Sequence, residues 1–389
     1  MISISRLLCD AVGPGDHLRY GHGSSASERP TDRPIVVWNC TRQCNLKCVH
    51  CYASATNERS CEEMDTEAGK ALIRDIAEFR APVLLFSGGE PLIRRDLFEL
   101  AEYARGLGLR VALSTNGTLL TREAADRLKA LGFAEAGISL DGVGKNNDRF
   151  RGHEGAFDAA LRGIRNCKAA GVRVSLRLTI TQLNYGEIPA IFDLVEQEGV
   201  DRVCFYHLAY AGRGSALRDA DISHAQTRSA VDMIIDRTVD LYRRGLPKEI
   251  LTVSNHADGV YAYLKVKDKD PMRAARILSL LRVNGGNNSG MKISCVDDLG
   301  NVHPDQFWWH YSAGNVRQRK FGDIWTDKSD PIMAGLKDRK GLLKGRCAQC
   351  NYLDLCNGNL RVRAEAVYDD VWAPDPACYL TDKEIGISA

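Results

Sequence analysis

Three closely spaced cysteines, Cys44, Cys48 and Cys51, form a C-x3-C-x2-C motif that is suited to binding a metal centre. A 4Fe–4S cluster normally takes four thiolates, one on each iron. Three thiolates therefore leave one iron open to a substrate or cofactor. Zinc is the alternative, with His50 as a fourth ligand, but structural zinc sites favour C-x2-C pairs. Cys40 is another candidate fourth ligand, but it lies at the end of a predicted strand. The motif favours an iron–sulfur cluster with an open iron.

A second group of cysteines, Cys347, Cys350, Cys356 and Cys378, supplies four thiolates near the end of the sequence. Four thiolates complete either a tetrahedral zinc site or a whole 4Fe–4S cluster, and the spacing alone does not distinguish them. The remaining six of the 13 cysteines are scattered, and we interpret them as free thiols. In a reducing compartment, such grouping favours metal binding over disulfides.

Short β-type runs alternate with helical patterns in the first half of the chain. Strands are predicted at 35–39, 83–86, 110–114, 136–140, 172–180 and 202–206, and helices at 66–79, 96–107, 122–131, 156–170 and 186–198. This alternation predicts a parallel sheet. Five residues that could do chemistry each follow a predicted strand, at the end where barrels build active sites: Cys44, Glu90, Asn116, Asp141 and His207. The predicted fold class is α/β, with a partial (β/α)6 barrel.

The 389 residues divide by pattern into four predicted units. Residues 1–33 read as an irregular N-terminal arm, 34–215 as the partial barrel and 216–285 as a helical linker with helices at 222–244 and 257–282. Residues 286–389 form a C-terminal unit that follows a Gly- and Asn-rich boundary, starts with a β-hairpin and carries the second cysteine group.

Charge and hydropathy exclude several classes of function. Lys and Arg total 52 against 50 Asp and Glu, so the net charge of +2 predicts neither a nucleic-acid nor a membrane partner. The sequence also lacks an apolar run long enough to span a bilayer and an N-terminal secretory signal. We therefore expect a cytoplasmic protein.

Residues 38–52 resemble the first strand and cluster loop of the radical S-adenosylmethionine (SAM) superfamily. The segments 87–91 (SGGEP), 114–117 (STNG) and 139–142 (SLDG) resemble later motifs of that family, in the family's order. The resemblance implies a SAM-binding cluster on Cys44, Cys48 and Cys51. It also implies SAM contacts from His50 on the adenine, Gly88, Gly89 and Glu90 on the amino group, Ser114 and Asn116 near the ribose, Ser139 on the fourth strand, and Arg177 on the carboxylate.

The second cysteine group resembles the SPASM/Twitch extension of radical SAM enzymes, which implies an auxiliary 4Fe–4S cluster. A full SPASM domain with two clusters would carry cysteines where this chain has Asp305 and Leu360. The resemblance therefore implies two 4Fe–4S clusters in total, one that binds SAM and one auxiliary cluster in a Twitch/SPASM-like C-terminal domain.

Segments at 206–214, 255–261, 300–305, 308–311 and 375–380 resemble the NirJ family of haem d1 biosynthesis, and the likeness covers residues 30–386. The resemblance implies a monomeric enzyme that uses a 5′-deoxyadenosyl radical to remove propionate side chains from a tetrapyrrole, 12,18-didecarboxysirohaem. An electron donor such as flavodoxin or ferredoxin is implied as a partner.

An acidic macrocycle requires cationic and aromatic contacts. The predicted catalytic residues are His207, Tyr210 and Arg213, and the further candidates for substrate contacts are Arg317, Arg319, Arg363, His303, Trp308 and His310. Each is also compatible with an ordinary structural role, and the Trp308–Trp309 pair with a place in the core.

Three alternatives remain at this point. A related deacetylase of the alternative haem pathway would remove acetate groups from the same substrate. A peptide-modifying SPASM maturase would need a peptide-binding region for which residues 1–33 are short. A non-catalytic metal-binding or electron-transfer module would not cleave SAM.

Overall fold

The computed structural model of the protein describes residues 1–21 and 33–387. The part of the predicted N-terminal arm at 22–32 lies outside them. The strands are β1 (Ile2–Ser3), β2 (Ile35–Asn39), β3 (Leu84–Ser87), β4 (Val111–Thr115), β5 (Ala136–Ser139), β6 (Val174–Ile180), β7 (Arg202–His207), β8 (Glu249–Val253), β9 (Ile293–Val296), β10 (Asn301–His303) and β11 (Gly314–Asn315). Across these ranges they form an 11-stranded sheet in the order β1-β8-β7-β6-β5-β4-β3-β2-β9-β10-β11.

The six predicted barrel strands are confirmed as β2 to β7, in sequential order and parallel throughout. Most of their residues are buried, because helices cover a parallel sheet and both faces must be apolar. The α/β fold class with a partial barrel is therefore confirmed.

The parallel arrangement extends past both edges of the predicted barrel. β8 pairs in parallel with β7, and β9 pairs in parallel with β2. The prediction that 216–285 is wholly helical is therefore wrong at Glu249–Val253, a run of apolar and β-branched residues that joins the sheet. The predicted hairpin is confirmed, since β9 pairs antiparallel with β10. The sheet thus continues from the barrel into the C-terminal unit.

The longer helices cover the sheet, and short ones follow in the C-terminal unit. They are α1 (Ile4–Cys9), α2 (Asp16–Tyr20), α3 (Thr66–Glu78), α4 (Leu97–Gly106), α5 (Arg122–Ala130), α6 (Lys145–Arg151), α7 (Ala156–Ala169), α8 (Ile188–Gln197), α9 (His224–Arg243), α10 (Ala257–Val266), α11 (Pro271–Asn284), α12 (Phe321–Thr326), α13 (Pro331–Lys337), α14 (Gly345–Ala348), α15 (Leu353–Cys356), α16 (Arg361–Tyr368) and α17 (Asp382–Ile385). Single 3₁₀ turns occur at Pro91–Ile93, Tyr185–Glu187 and Lys340–Leu342, and a longer 3₁₀ segment spans Gly212–Ala220.

Local sequence explains where several helices begin. The Asp65 carboxylate accepts a hydrogen bond from the Ala68 amide at the start of α3, and Ser223 forms a capping box with Gln226 at the start of α9. The helix predicted at 257–282 is two helices, because Asp270 caps a new start directly before Pro271.

The first 21 residues are more regular than the predicted irregular arm. They form β1, which pairs antiparallel with β8, and the helices α1 and α2. This strand lacked a sequence signal because two residues show no alternation, and pairing with β8 defines it. Among the described residues, no helix combines the length and apolar character needed to cross a membrane.

Candidate active site

The cysteine loop, residues 40–56, leaves the carboxyl end of β2 and carries Cys44, Cys48 and Cys51. The Cys44 amide donates to the Thr56 carbonyl at 2.7 Å, and the Lys47 amide donates to the Arg151 carbonyl at 3.1 Å. These bonds fold the loop back on itself and attach it to the end of α6. The loop is therefore held in place by backbone contacts.

The three thiols of this loop are free, and Cys44 and Cys48 are buried. Burial, together with charge on Glu90, Cys48 and Cys51, raises the pKa of the Cys44 thiol to about 12. Cys44 and Cys48 lie in one buried cluster, and Cys51 packs against it, so a cation is needed to hold all three as thiolates. This donor set fits an iron–sulfur cluster.

Two glycines bring the end of β3 against the cysteine loop. The Gly89 amide donates to the Thr41 carbonyl at 2.7 Å, and the next amide, that of Glu90, donates to the Gln43 carbonyl at 2.8 Å. A Cβ on Gly88 would lie 2.3 Å from the Thr41 oxygen, and a Cβ on Gly89 would lie 2.2 Å from the Gln43 oxygen. Because both positions face backbone atoms, only glycine allows this approach.

The Glu90 carboxylate is fully buried at the same edge of the sheet. It accepts hydrogen bonds from the Asn116 amide and the Thr115 hydroxyl at 2.8 Å each, and from the Leu92 amide at 3.1 Å. Burial nevertheless raises the pKa of Glu90 to about 7. The site therefore holds a carboxylate with little solvent, which a cationic ligand would stabilise.

Asn116 connects this carboxylate to the cysteine loop, since its side-chain amide donates to Asn45 at 2.8 Å. Arg177 lies further along the same edge and donates to the Ser114 hydroxyl at 2.6 Å. Arg177 pairs in register with Ser139, and its guanidinium occupies the space left by Gly137. The edge of the sheet that carries Glu90 therefore also carries four of the predicted SAM contacts: Ser114, Asn116, Ser139 and Arg177.

The predicted adenine contact, His50, lies 3.4 Å from the Asp141 carboxylate and meets Phe150 edge to face at 4.7 Å. Burial lowers the pKa of His50 to about 4, so its ring is neutral near pH 7. A neutral, partly packed imidazole is compatible with the flat apolar contact that the sequence predicts.

The second cysteine group surrounds a cavity that Cys347, Cys350, Cys356 and Cys378 line together with Asp375. All four cysteines are free and half-buried, and burial raises the pKa of each thiol. A cavity walled by four thiols fits a cluster that is fully ligated by cysteine. In the described part of the chain, no three His, Cys, Asp or Glu side chains have the spacing for a single metal ion.

Comparison with known proteins agrees with this arrangement. The sequence model of the Radical SAM superfamily matches residues 38–195, which include the cysteine loop and Glu90. The chain is 56% identical to an Fe-coproporphyrin III synthase of Methanosarcina barkeri, over 99% of this chain and 99% of that protein. The chain belongs to the radical SAM superfamily. It is therefore a radical SAM enzyme, and the cofactors of that family are SAM and a 4Fe–4S cluster.

Two further likenesses extend the comparison. A pre-heme d1 synthase of Dinoroseobacter shibae is 45% identical over 92% of this chain and 89% of that protein. The crystal structure of Streptococcus suis SuiB bound to precursor peptide SuiA has a TM-score of 0.71 at 17% identity, and the match covers 90% of this chain and 76% of that chain. The SuiB likeness shows that the two chains share a fold.

One residue of the radical SAM site that sequence reasoning missed is Arg151, the last residue of α6. Its guanidinium forms an ion pair with Asp141 and donates to the Cys48 sulfur at 3.6 Å. Asp141 in turn accepts a hydrogen bond from the Thr179 amide at 2.7 Å. No sequence signal indicated this role, because α6 is short and was not predicted.

We expect Arg151→Met to lower the free energy of unfolding of the cluster-free protein by about 3–5 kcal/mol, because it leaves the Asp141 carboxylate buried without its cation. Urea unfolding measures this change. The matched control is Arg122→Met, since Arg122 pairs with Asp126 on the surface and its loss should cost about 0.5 kcal/mol or less. Equal effects of the two substitutions would contradict the assignment.

Each predicted catalytic residue forms at least one polar contact within the protein. His207 is buried, with Nε2 2.9 Å from Asp258, and the Tyr210 hydroxyl donates to Asp221 at 2.9 Å. Arg213 donates to the Cys48 and Ala55 carbonyls at 2.8 Å each. These two bonds make Arg213 a positioning residue for the cysteine loop, and its contact with a substrate carboxylate stays a prediction.

The further substrate candidates also have partners within the protein. Trp308 is fully buried in a core cluster, which confirms the alternative that it is a core residue. His303 is buried against the Tyr311 carbonyl, and Arg363 is buried beside Asp375, so neither faces solvent. The more exposed candidates are also paired: Arg317 with the Glu62 carbonyl, Arg319 with Asp327, and His310 with Glu365.

Proposed function

We propose that this radical SAM enzyme acts in a haem pathway on an iron tetrapyrrole, 12,18-didecarboxysirohaem. The observation that carries the proposal is the 56% identity to an Fe-coproporphyrin III synthase over 99% of both chains. A coproporphyrin keeps its propionate side chains and carries no acetates. A chain that forms this product removes acetates, which is the deacetylase alternative of the sequence analysis.

Propionate removal towards haem d1, which the sequence resemblance favoured, becomes the second candidate. The 45% identity to a pre-heme d1 synthase over 92% of this chain supports it. We rank propionate removal behind acetate removal because the identity is lower and the coverage is smaller. Both candidates use the same kind of acidic macrocycle, so the distinction lies in which side chain is held next to SAM.

In either reaction, bound SAM and its cluster supply hydrogen-atom abstraction from an unactivated carbon. The chain's share is to hold, orient and enclose the reactants. We assign the SAM-binding cluster to Cys44, Cys48 and Cys51, and the SAM amino group to the buried Glu90 carboxylate. Arg177 would hold the SAM carboxylate, and His50 would pack on the adenine.

We also assign one auxiliary 4Fe–4S cluster to Cys347, Cys350, Cys356 and Cys378, which line a common cavity. Asp305 and Leu360 support a single auxiliary cluster, because Leu360 packs in a core cluster and Asp305 accepts a hydrogen bond from Ser289. With cysteine on every iron, this cluster would transfer electrons and would not bind substrate directly. A flavodoxin or ferredoxin would supply electrons for SAM cleavage.

The test is product mass. Enzyme reconstituted anaerobically with iron and sulfide is incubated with 12,18-didecarboxysirohaem, SAM and dithionite, and the tetrapyrrole products are weighed by mass spectrometry. We expect loss of acetate groups and formation of Fe-coproporphyrin III. A propionate side chain is one methylene heavier than an acetate. Loss of propionate groups would therefore favour the second candidate over the first. Absence of 5′-deoxyadenosine would instead indicate a non-catalytic module.

The raised pKa of Glu90 predicts that SAM binds more weakly at lower pH. With a pKa of about 7, the Glu90 carboxyl loses its negative charge as pH falls through that value, and the SAM ammonium group loses its partner. We expect the Kd for SAM to be about tenfold higher one pH unit below this pKa than one unit above it. Calorimetric titration of the reconstituted enzyme measures both values.

The control for this prediction is Glu90→Gln, which cannot ionise. We expect it to bind SAM weakly at both pH values, with no difference between them. If the parent enzyme has the same Kd for SAM above and below the pKa of Glu90, the assignment of Glu90 to the SAM ammonium group is contradicted.

A further inference from the structure

Three arginines are buried behind the second cysteine group. Arg339, Arg361 and Arg363 are each 1% exposed or less, which places them among the largest fully buried side chains. Arg361 and Arg363 begin α16, five and seven positions after Cys356, and Arg339 precedes Cys347 by eight positions. Arginine is seldom buried without a paired negative charge, so three together require an explanation.

The partners of these arginines are mostly neutral oxygens. Arg361 donates to the Ala373 carbonyl at 2.6 Å and to the Gly358 carbonyl, and Arg339 donates to the Asn287 side chain at 2.7 Å. Two nitrogens of Arg363 and the Nε of Arg361 are buried without a hydrogen bond. Carbonyl groups satisfy donors but do not neutralise a guanidinium charge.

Negative charge near the three guanidinium groups is scarce. Across residues 1–21 and 33–387, Asp375 is the one carboxylate within ion-pair distance of any of them, at 3.3 Å from Arg363. Asp305 is also buried nearby, but burial raises the pKa of Asp305, which disfavours its charge. The protein alone therefore leaves a surplus of buried positive charge in this region.

The surplus lies beside the four thiols. Gly358, whose carbonyl accepts from Arg361, and Asp375, which pairs with Arg363, both line the cavity of the second cysteine group. Arg339 donates to the side chain of Asn287, and the Asn287 amide donates to the Cys356 carbonyl at 3.0 Å. Each of the three arginines is therefore one residue away from the cavity lining or from one of its cysteines.

We propose that Arg339, Arg361 and Arg363 form a buried cationic shell that stabilises the reduced, more negative state of the auxiliary cluster and so raises its reduction potential. This inference rests on the proposed assignment of that cluster to the second cysteine group. Reduction adds one electron, and therefore one negative charge, beside these guanidinium groups. In a water-poor interior this charge interacts strongly with the fixed guanidinium groups. The negative charge of Asp375 acts against the effect of the arginines on the reduction potential.

The test measures the potential directly and does not depend on turnover. In a background with Cys44, Cys48 and Cys51 replaced by alanine, the auxiliary cluster is reconstituted and titrated with dithionite under electron paramagnetic resonance. We expect Arg361→Gln to lower the equilibrium constant for one-electron reduction about tenfold, a shift of about 59 mV to lower potential. Arg361→Lys, which keeps the charge, should stay close to the parent.

Asp375→Asn provides a test of opposite sign. It removes the carboxylate of the shell, so the potential should rise. A purely structural role would not produce shifts in opposite directions from two neighbouring substitutions. Arg202→Gln is the control for the loss of a buried arginine, because Arg202 pairs with Glu135 and Glu249 in the barrel. It should leave the potential unchanged.

Arg346→Gln keeps the proposal testable if the buried substitutions prevent folding. Arg346 lines the same cavity and is 27% exposed, so we expect a smaller shift to lower potential. A cluster whose potential is unchanged in every variant, or moves in the same direction for Arg361→Gln and Asp375→Asn, overturns the shell but leaves the proposed function intact. If the background variant binds no 4Fe–4S cluster, the auxiliary assignment and the shell both fail.

Discussion

Gly89→Ala should abolish SAM cleavage while leaving the rest of the protein folded. The new Cβ would lie 2.2 Å from the Gln43 carbonyl oxygen and 2.8 Å from that of Arg42, and backbone atoms cannot move aside without moving the loop. The hydrogen bonds from Gly89 to Thr41 and from Glu90 to Gln43 would break. Because a displacement of about 1 Å costs about a hundredfold in rate, we expect at least that loss of 5′-deoxyadenosine formation.

The matched control is Gly106→Ala. Gly106 is the last residue of α4, and a Cβ there would meet no atom within 4 Å. Alanine also favours a helix over glycine, so this variant should keep the parent rate and be slightly more stable. Iron content after reconstitution distinguishes a displaced loop from a misfolded chain. SAM cleavage by Gly89→Ala at the parent rate would contradict the role of the close backbone contact.

Much of the fold was predictable because its signals are local. The six barrel strands lie within two residues of their predicted limits, since each is a short apolar run bounded by turn residues. Three strands were missed: β1, β8 and β11. β1 and β11 have two residues each, too few to show alternation, and only their pairing with β8 and β10 defines them. β8 lies between helical segments, and its place in the sheet depends on long-range pairing with β7 and β1.

The sequence indicated the edge of the sheet on which the predicted site residues lie, because each motif directly follows a strand. Gly88, Gly89, Glu90 and Asn116 meet the cysteine loop because each follows a strand of one parallel sheet. Prediction was poorer where the direction of a side chain matters. Arg213 follows β7 at the correct edge, but its guanidinium turns to the Cys48 and Ala55 carbonyls. Residue order shows which edge a residue occupies, but not which partner its side chain finds.

The buried arginines illustrate the same limit. Arg363 was a candidate for the substrate carboxylates because arginine suits that contact. In the structure it lies fully buried beside Asp375, behind the second cysteine group. A sequence gives the charge of a residue but not its exposure. Because Arg363 is buried, its partner is Asp375 within the protein and not the carboxylate of a bound substrate.

Cys350→Ala should show that the second cysteine group is needed for tetrapyrrole turnover but not for SAM cleavage. Cys350 lines the cavity of the second group, whereas Cys44, Glu90 and Asn116 form a separate site at the edge of the barrel. We expect tetrapyrrole turnover to fall by about a hundredfold or more, because even indirect partners of a metal centre contribute up to that amount. SAM cleavage without substrate should persist. Product mass and 5′-deoxyadenosine are measured in the same reactions.

The control is Cys9→Ala, since Cys9 is a half-buried free thiol in α1, outside both groups. It should retain both activities, which excludes a general effect of losing a thiol. Full turnover by Cys350→Ala would contradict an electron-transfer role for the auxiliary cluster. Loss of both activities would mean that the second group supports the barrel fold, because metal binding and folding are then coupled across the shared sheet. If Cys350→Ala loses tetrapyrrole turnover but still cleaves SAM, the second cluster takes part in the reaction.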